Sequence, residues 1–374
     1  MKHYLSVFAL AAALALGLSA CNKLDGALDS GSEAAPEIIA LTPLTHTPAK
    51  GIVTGTAFPD SSAIVAGAWF NSDTGESVNH ETYFTNYTFK KGQGSVDNAK
   101  WGPDKTAYWP VKGTLSMMAF RPDTIGVSRN GHVDNVNPAW TDYKTLKLTV
   151  TNLRDNQDIL VGANHAAKKS ADGDKMAFKH ISCLLEVQVK SSQNYIKKDS
   201  DPHKSGIEIV GVTIDEVYPS YDGQVTIVRG DDNNDLTITT PDANGDKVTR
   251  TVLNKAVRTD TLFLTTTFRP LDGETDKANG ASGKEPGKRV IVPAQTPTTM
   301  TIYYKLFEGS SENGSPVLKC DGISLKVSEE EANNKWVAGK KYTYKVNVEA
   351  NKITIAPEVA DWDDQEVEVN VPSA

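Results

Sequence analysis

Three of the 374 residues are cysteines, and one of them, Cys21, stands at the end of an apolar run directly behind Leu18, Ser19 and Ala20. A thiol at the edge of a membrane-seeking segment is a nucleophile placed for acylation, and lipid attachment is the chemistry its position allows. The other reactive residue types do not assemble. Seven histidines are scattered through the chain without an HExxH or comparable spacing, so no metal site is assigned. There is no GxSxG elbow and no P-loop, and carboxylate neighbours such as Asp363 and Asp364 adjoin a turn; no catalytic residue and no cofactor follow. Residues 231–247 gather Asp231, Asp232, Asn233, Asp235, Asp242, Asn244 and Asp246, oxygen donors that could hold calcium or build hairpin turns, without the spacing of an EF-hand. Arg229, Gly230 and Asp231 spell an RGD adhesive tripeptide, a sequence short enough to recur by chance.

The first residues read as an export signal: Lys2 and His3 give a polar start, and Leu5 to Leu18 an apolar core ending in small residues. That core is shorter than the roughly 20 residues needed to span a bilayer. Leu18, Ser19, Ala20 and Cys21 together resemble the lipobox of bacterial lipoproteins, in which the cysteine sulfur is lipidated and the peptide is cut just before it; an ordinary secretory signal with a cysteine beside it is the alternative. Two or three acyl chains on one cysteine anchor a protein firmly, since each buried methylene contributes about 0.8 kcal/mol. No later segment offers a long uncharged apolar run, so the expected product is anchored to a membrane by lipid, with the remainder soluble and outside the cytoplasm. The net charge of -8 and the absence of a basic stretch argue against a nucleic-acid partner.

About 350 residues remain after such a cut, more than one core usually organises, which predicts two domains. Residues 22–35 are small, polar and acidic, a tether composition. Ile38, Ile39 and Leu41 then form a first strand, followed by the proline-punctuated PLTHTPAK ending at Lys50. From GIVTGTAFPDSSAIVAGAWFN onward the chain is a succession of short β-runs separated by Gly, Pro, Asn and Asp, through YFTNYTFKKGQG, AYWPVKGTLSMMAFRP, YKTLKLTVTN and DILVGAN. In LKLTVTN, Leu146, Leu148 and Val150 alternate with Lys147 and Thr149, the pattern of one buried and one wet face. The charged stretch 164–175 suggests a boundary, giving an N-terminal sandwich over 51–170 and a C-terminal one over 171–374. Beyond it FKHISCLLEVQVK, IEIVGVTIDEVY, RVIVPA, TMTIYYKLFEG, KYTYKVNVEA and EVEVNVP are strand-like, and only EEEANNKWVAGK looks briefly helical. Cys183 lies on the apolar face of its strand with Ile181, Leu185, Val187 and Val189; a disulfide to Cys320 and a buried free thiol both remain open. The expected class is all-β, with sandwiches rather than α/β layers.

Several of these segments, in order, resemble the fimbrillin-like family, lipoprotein precursors of pilus subunits in Bacteroides-type bacteria. GTAFPDSSAIVAGAWFN resembles its early strand pair, YWPVKGTLSMMAFRP its aromatic-proline strand, and NQDILVG the strand closing its first domain. FKHISCLLEVQVK is similar to the strand opening the second domain, and GKKYTYKVNVEANKITIAPEVADW to the terminal strands with their tryptophan. The resemblance spans about residues 50 to 365. It implies two tandem transthyretin-like β-sandwiches and no enzymatic activity. It also implies assembly by donor-strand exchange: a protease removes the amino-terminal segment with its first strand, and a strand of a neighbouring subunit takes the vacant place, pairing exposed amides and carbonyls.

On that resemblance Ile38, Ile39 and Leu41 belong to the removable strand; since no arginine precedes Arg121 to serve an arginine-specific protease, processing requires cleavage after Lys50 or by another protease, the alternative being a subunit that keeps its lipid as an anchor or terminal piece. Val367, Val369 and Val371, alternating with Glu366, Glu368 and Asn370, are the expected donor strand within 366–372; closing its own sheet as an edge strand is the other reading of that alternation. DTI at 123–125 and DTL at 260–262 resemble the O-glycan acceptor pattern of such bacteria and would modify Thr124 and Thr261; turn or strand usage explains them equally. Expected partners are other copies or related fimbrial subunits, the outer membrane through lipid, and a host or bacterial surface receptor. The rival function is a monomeric, lipid-anchored glycan-binding protein using Trp69, Trp101, Trp109, Trp140, Trp336 or Trp362 as a stacking platform, with core packing the plainer use of these rings.

Overall fold

The computed structural model describes residues 36–44, 58, 63–72, 80–94, 96–121, 136–153, 157–171, 173–191, 206–230, 235–253, 262–264, 266–271, 289–307, 317–327, 334–349 and 353–362. Every regular element among them is a strand, as the β-run pattern predicts. The chain begins with β1 (Leu41–Leu44), β2 (Ile64–Asn71), β3 (Glu81–Lys91), β4 (Trp101–Pro103), β5 (Thr114–Arg121), β6 (Val136–Trp140), β7 (Thr145–Val150), β8 (Leu160–Ala167) and β9 (Asp174–His180). It continues with β10 (Cys183–Lys190), β11 (Gly206–Val217), β12 (Ser220–Tyr221), β13 (Gln224–Arg229), β14 (Leu236–Thr239), β15 (Ala243–Asn244) and β16 (Val248–Leu253). The remainder is β17 (Leu262–Phe263), β18 (Arg269–Pro270), β19 (Val290–Val292), β20 (Thr299–Phe307), β21 (Val317–Ser324), β22 (Lys340–Val348) and β23 (Ile353–Asp361).

Seven strands close a barrel in the order β1, β4, β3, β2, β5, β8, β9, with β9 returning to β1. A four-stranded sheet in the order β14, β13, β7, β6 lies against the outer face of β2, β5 and β8. This layering explains why IVAGAWF and LSMMAF read as continuous apolar runs instead of alternating. Ala66, Ala68, Met117 and Ala119 face the barrel interior, while Val65, Met118, Phe120 and Val161 pack on Leu146, Leu148, Val225 and Ile227 of the covering sheet. Strands covered on both faces have no wet side to mark with polar residues. Gly67 is required where Trp140 of β6 crosses β2: a Cβ there would stand 3.0 Å from the indole ring.

A third core lies between two further sheets. β10 pairs with β18, β19 and β22, and β22 carries β23 at the edge; facing them are β16, β11, β20 and β21, with β17 beside β11. Cys183, Val187, Val212, Ile214, Ile302, Trp336, Tyr344 and Val346 meet between these layers. Cys183 and Cys320 are free thiols, and burial pushes the Cys183 thiol well up from its ordinary value.

Two pairings cross the charged stretch that suggests a boundary. Residues 164–167 end β8 and 174–180 form β9, so the stretch is the connection of an antiparallel hairpin. Farther along, β13 pairs with β7 over Gln224–Val228 and carries β14 back onto the covering sheet. The segment expected to be briefly helical shows no helix over its described residues, 334–340; Trp336 there fills the third core and donates from Nε1 to Tyr344 Oη at 2.7 Å.

Candidate functional site

The first described strand, β1, is one of the two shortest members of the barrel and bridges β9 and β4 to close it. β1 runs parallel to β9, with Leu41 opposite Asp174, Thr42 opposite Lys175, Pro43 opposite Met176 and Leu44 opposite Ala177. On its other side it meets β4 antiparallel at Leu41 and Trp101. The residues just before it continue the closure: Ile38 bridges Tyr108, Ile39 N donates to Ala107 O at 2.9 Å, and Trp109 N donates to Glu37 O at 2.9 Å. Asp174 N donates to Ala40 O at 2.8 Å. Pro43 lacks an amide, which a strand tolerates where one side of the ladder needs no donor.

Ile39 and Leu41 are the side chains that make this strand costly to leave empty. Both are fully buried, at 0% and 1% exposure, in the barrel core with Phe58, Phe89, Trp101, Trp109, Met176 and Phe178. Burying each contributes about 1.5–3 kcal/mol. Ile38 is half-buried and only bridges. Two of the three residues expected to form the removable strand therefore point into the core, and the third flanks them. Gly173, with φ +79, lets β9 approach: a Cβ there would come within 2.8 Å of Thr42 Oγ1. Lys169 and Glu37 pair at 2.8 Å across the outside of the entrance, both about half exposed.

Asp174 is the polar exception in the slot. It shares the inward face of β9 with Met176 and Phe178 and is itself 6% exposed. One carboxylate oxygen accepts from Asn164 Nδ2 at 2.7 Å; the other is buried with no hydrogen-bond partner among the described residues. Burial pushes this carboxyl up to about 7, against the opposing hydrogen bond from Asn164. The sequence carried a signal for it, since Asp174 falls in register with the apolar alternation of DKMAFKH. The charged neighbours Lys168, Lys169 and Lys175 obscured that register.

At the carboxyl end of the described residues, β23 is an edge strand whose one partner among them is β22. Ile353 and Ile355 rest on the third core, Val359 is 43% exposed, and Glu358 and Asp361 pair with Lys345 and Lys340. The charged edge is the usual guard against unwanted strand addition. Immediately after it, Trp362 is buried beside Leu184 and Ile291 and stacks on His180, ring centroids 3.7 Å apart and planes 4° from parallel. His180 Nδ1 in turn lies 2.8 Å from Asp158 Oδ1, both buried.

The donor residues Val367, Val369 and Val371, the lipidation residue Cys21, the processing residue Lys50 and the acceptor residues Thr124 and Thr261 all lie outside the described residues. The RGD arginine is not available for adhesion. Arg229 is 1% exposed, donates to Gly230 O at 2.8 Å and lies over the Tyr143 ring. Of the acidic loop, Ala243 and Asn244 pair with Ser220 and Tyr221, Asp242 pairs with Lys335 at 3.0 Å, and Gly245 turns with φ +103. Among the described residues no group of three His, Cys, Asp or Glu side chains could hold a metal. Five of the six tryptophans are buried, and the sixth, Trp140, is half-buried and donates to Asn86 Oδ1 at 2.7 Å. Their faces are spent on packing, which leaves the glycan-stacking reading without a platform. Arg121 is fully buried at the end of β5, out of reach of an arginine-specific protease in the folded subunit.

The described residues form an all-β protein in which the first described strand, β1, closes a barrel. The family model described as fimbrillin-like matches residues 53–362, and the chain belongs to that family. A solved fimbrial protein from Bacteroides vulgatus shares the fold, with a TM-score of 0.52 at 13% identity over 87% of this chain and 99% of that one. A fimbrial assembly protein from Parabacteroides distasonis aligns at 11% identity and a TM-score of 0.36, over 87% of this chain and 98% of that one. No curated protein sequence matches the chain.

Proposed function

We propose that this protein is a structural subunit of a surface fimbrium, exported as a lipoprotein and assembled by donor-strand exchange at the β1 slot. The observation that carries this reading is the burial of Leu41, in a four-residue strand between β9 and β4, and of Ile39 just before that strand. A segment so short is held by two side chains and a few backbone hydrogen bonds, yet its loss opens a closed barrel and exposes paired edges on both sides. An incoming strand with an alternating apolar face restores both the hydrogen bonds and the core.

In this reading Cys21 receives the lipid and delivers the precursor to the outer membrane, cleavage near Lys50 frees residues 21–50, and Val367, Val369 and Val371 of one subunit fill the slot of the next. The two transthyretin-like units, divided near residue 170, form the body of each subunit, with β9 and the β13–β14 hairpin allied by pairing to the first. Trp362 supports the donor assignment by fixing the chain to β9 and β10 just before the tail begins. The partners are other copies or related subunits, and a surface receptor for the finished fibre. Deleting residues 366–374 tests it: polymer is lost while the monomer keeps its melting temperature, whereas normal fibres from the truncated protein refute the donor.

A further inference from the structure

The β1 slot contains a group that an exchangeable hydrophobic groove does not need. Asp174 lies inside the barrel rim, in register with Leu41, and its backbone amide bonds the strand it faces. Among the described residues, its surroundings hold nothing to neutralise it. β1 contributes Leu41, Thr42 and Pro43 and no ionisable side chain, and β4 contributes Trp101. β8 contributes Asn164, whose neighbour His165 alternates to the opposite face of its strand. In the connection between β8 and β9, Lys169 is engaged by Glu37 and Lys100 donates to the carbonyl of Ala171; Lys175 is exposed.

We propose that Asp174 is a proton-operated latch on the β1 slot: the neutral acid sits in the closed barrel, and the ionised form favours expulsion of the first strand. The proposal rests on the strand-exchange reading above. While β1 is seated, one carboxylate oxygen is buried with no donor among the described residues. When β1 leaves, the rim opens, water reaches that oxygen, and the carboxyl returns toward its ordinary value of 3.8. The seated state therefore binds the extra proton between roughly pH 4 and pH 7. Retention of β1 is strongest in acid, weakens as pH rises through that interval, and is level above it. An apolar replacement such as Leu or Val meets the same condition, so the latch acts on release and on the strength of the final joint alike.

The test uses the full chain carrying a site-specific protease sequence after Lys50. After cutting, release of the amino-terminal segment is followed at about pH 5 and about pH 8. It is expected to be roughly tenfold or more faster at the higher pH, and Asp174→Asn is expected to remove the difference. A wild-type rate independent of pH, or an equal pH ratio in the variant, overturns the latch. Should the segment stay bound at every pH, the exchange reading fails, and urea unfolding of the uncut chain then decides Asp174 separately. Wild type is expected to lose stability relative to Asp174→Asn as pH rises across the same interval, and parallel profiles overturn the assignment. Asp174→Leu replaces the Asn variant if that does not fold. An NMR titration of the wild-type carboxyl needs no substitution: a midpoint in the ordinary aspartate range rejects the proposal.

Discussion

β1 and β23, the first and last strands described, solve opposite problems. β1 has four residues, partners on both sides, and Leu41 sealed in a core with Ile39 just before it. β23 has nine residues, a single partner among the described residues, and exposed and charged groups along it. Length does not measure how firmly a strand belongs to its sheet; closure does. The short strand completes a ring whose opening exposes core, whereas the long one extends a sheet that is already complete. The difference marks β1 as the strand whose loss would open a core, and β23 as one whose loss would leave the pairing of β22 with β10 intact.

Substitutions sharpen this contrast. Trp362→Ala, which empties the stack against His180 where β23 ends, is expected to cost about 3–5 kcal/mol in urea unfolding. Ile39→Ala and Leu41→Ala are each expected to cost about 2–5 kcal/mol by the same measurement, against about 1 kcal/mol for Ile355→Ala on half-buried β23. Equal losses at Leu41 and Ile355 would erase the distinction between plug and edge. Raising the pH from about 4 to about 7 is expected to lower wild-type stability through Asp174, because its folded value lies above its unfolded one. Smallest is Lys345→Ala. Its pairing with Glu358 at 2.5 Å joins side chains 33% and 52% exposed, and loss within about 0.5 kcal/mol, shrinking in salt, is expected.

The sequence made the strands legible wherever one face is wet. β7 and β9 alternate buried and less buried residues along their length, and Ile39 and Leu41 follow the same rule on entering the barrel. The closing of the ring was not legible. Alternation says which face is buried but not which strand lies alongside, so the parallel pairing of β1 with β9 and the return of β13 to β7 have no local signature. The charged composition of 164–175 resembled a linker because Lys168, Lys169 and Lys175 are indeed exposed, yet Asp174 among them is the buried one. The adhesive reading of the RGD tripeptide fails for the converse reason: Arg229 occupies an inward position of β13, and composition does not report direction. The His180 and Trp362 stack joins residues too distant in the chain for any spacing rule to connect.

The most direct test of strand exchange is to lock the plug in place. Thr42 and Lys175 face each other on β1 and β9. Adjacent strands lie about 4.8 Å apart, within the range a disulfide bridges. A subunit carrying Thr42→Cys and Lys175→Cys is expected to fold and reach the surface when oxidised but to form no fibres, and to regain assembly on reduction, while either single substitution assembles normally. Fibres formed by the oxidised, cross-linked subunit at the level of the unmodified protein would contradict the account.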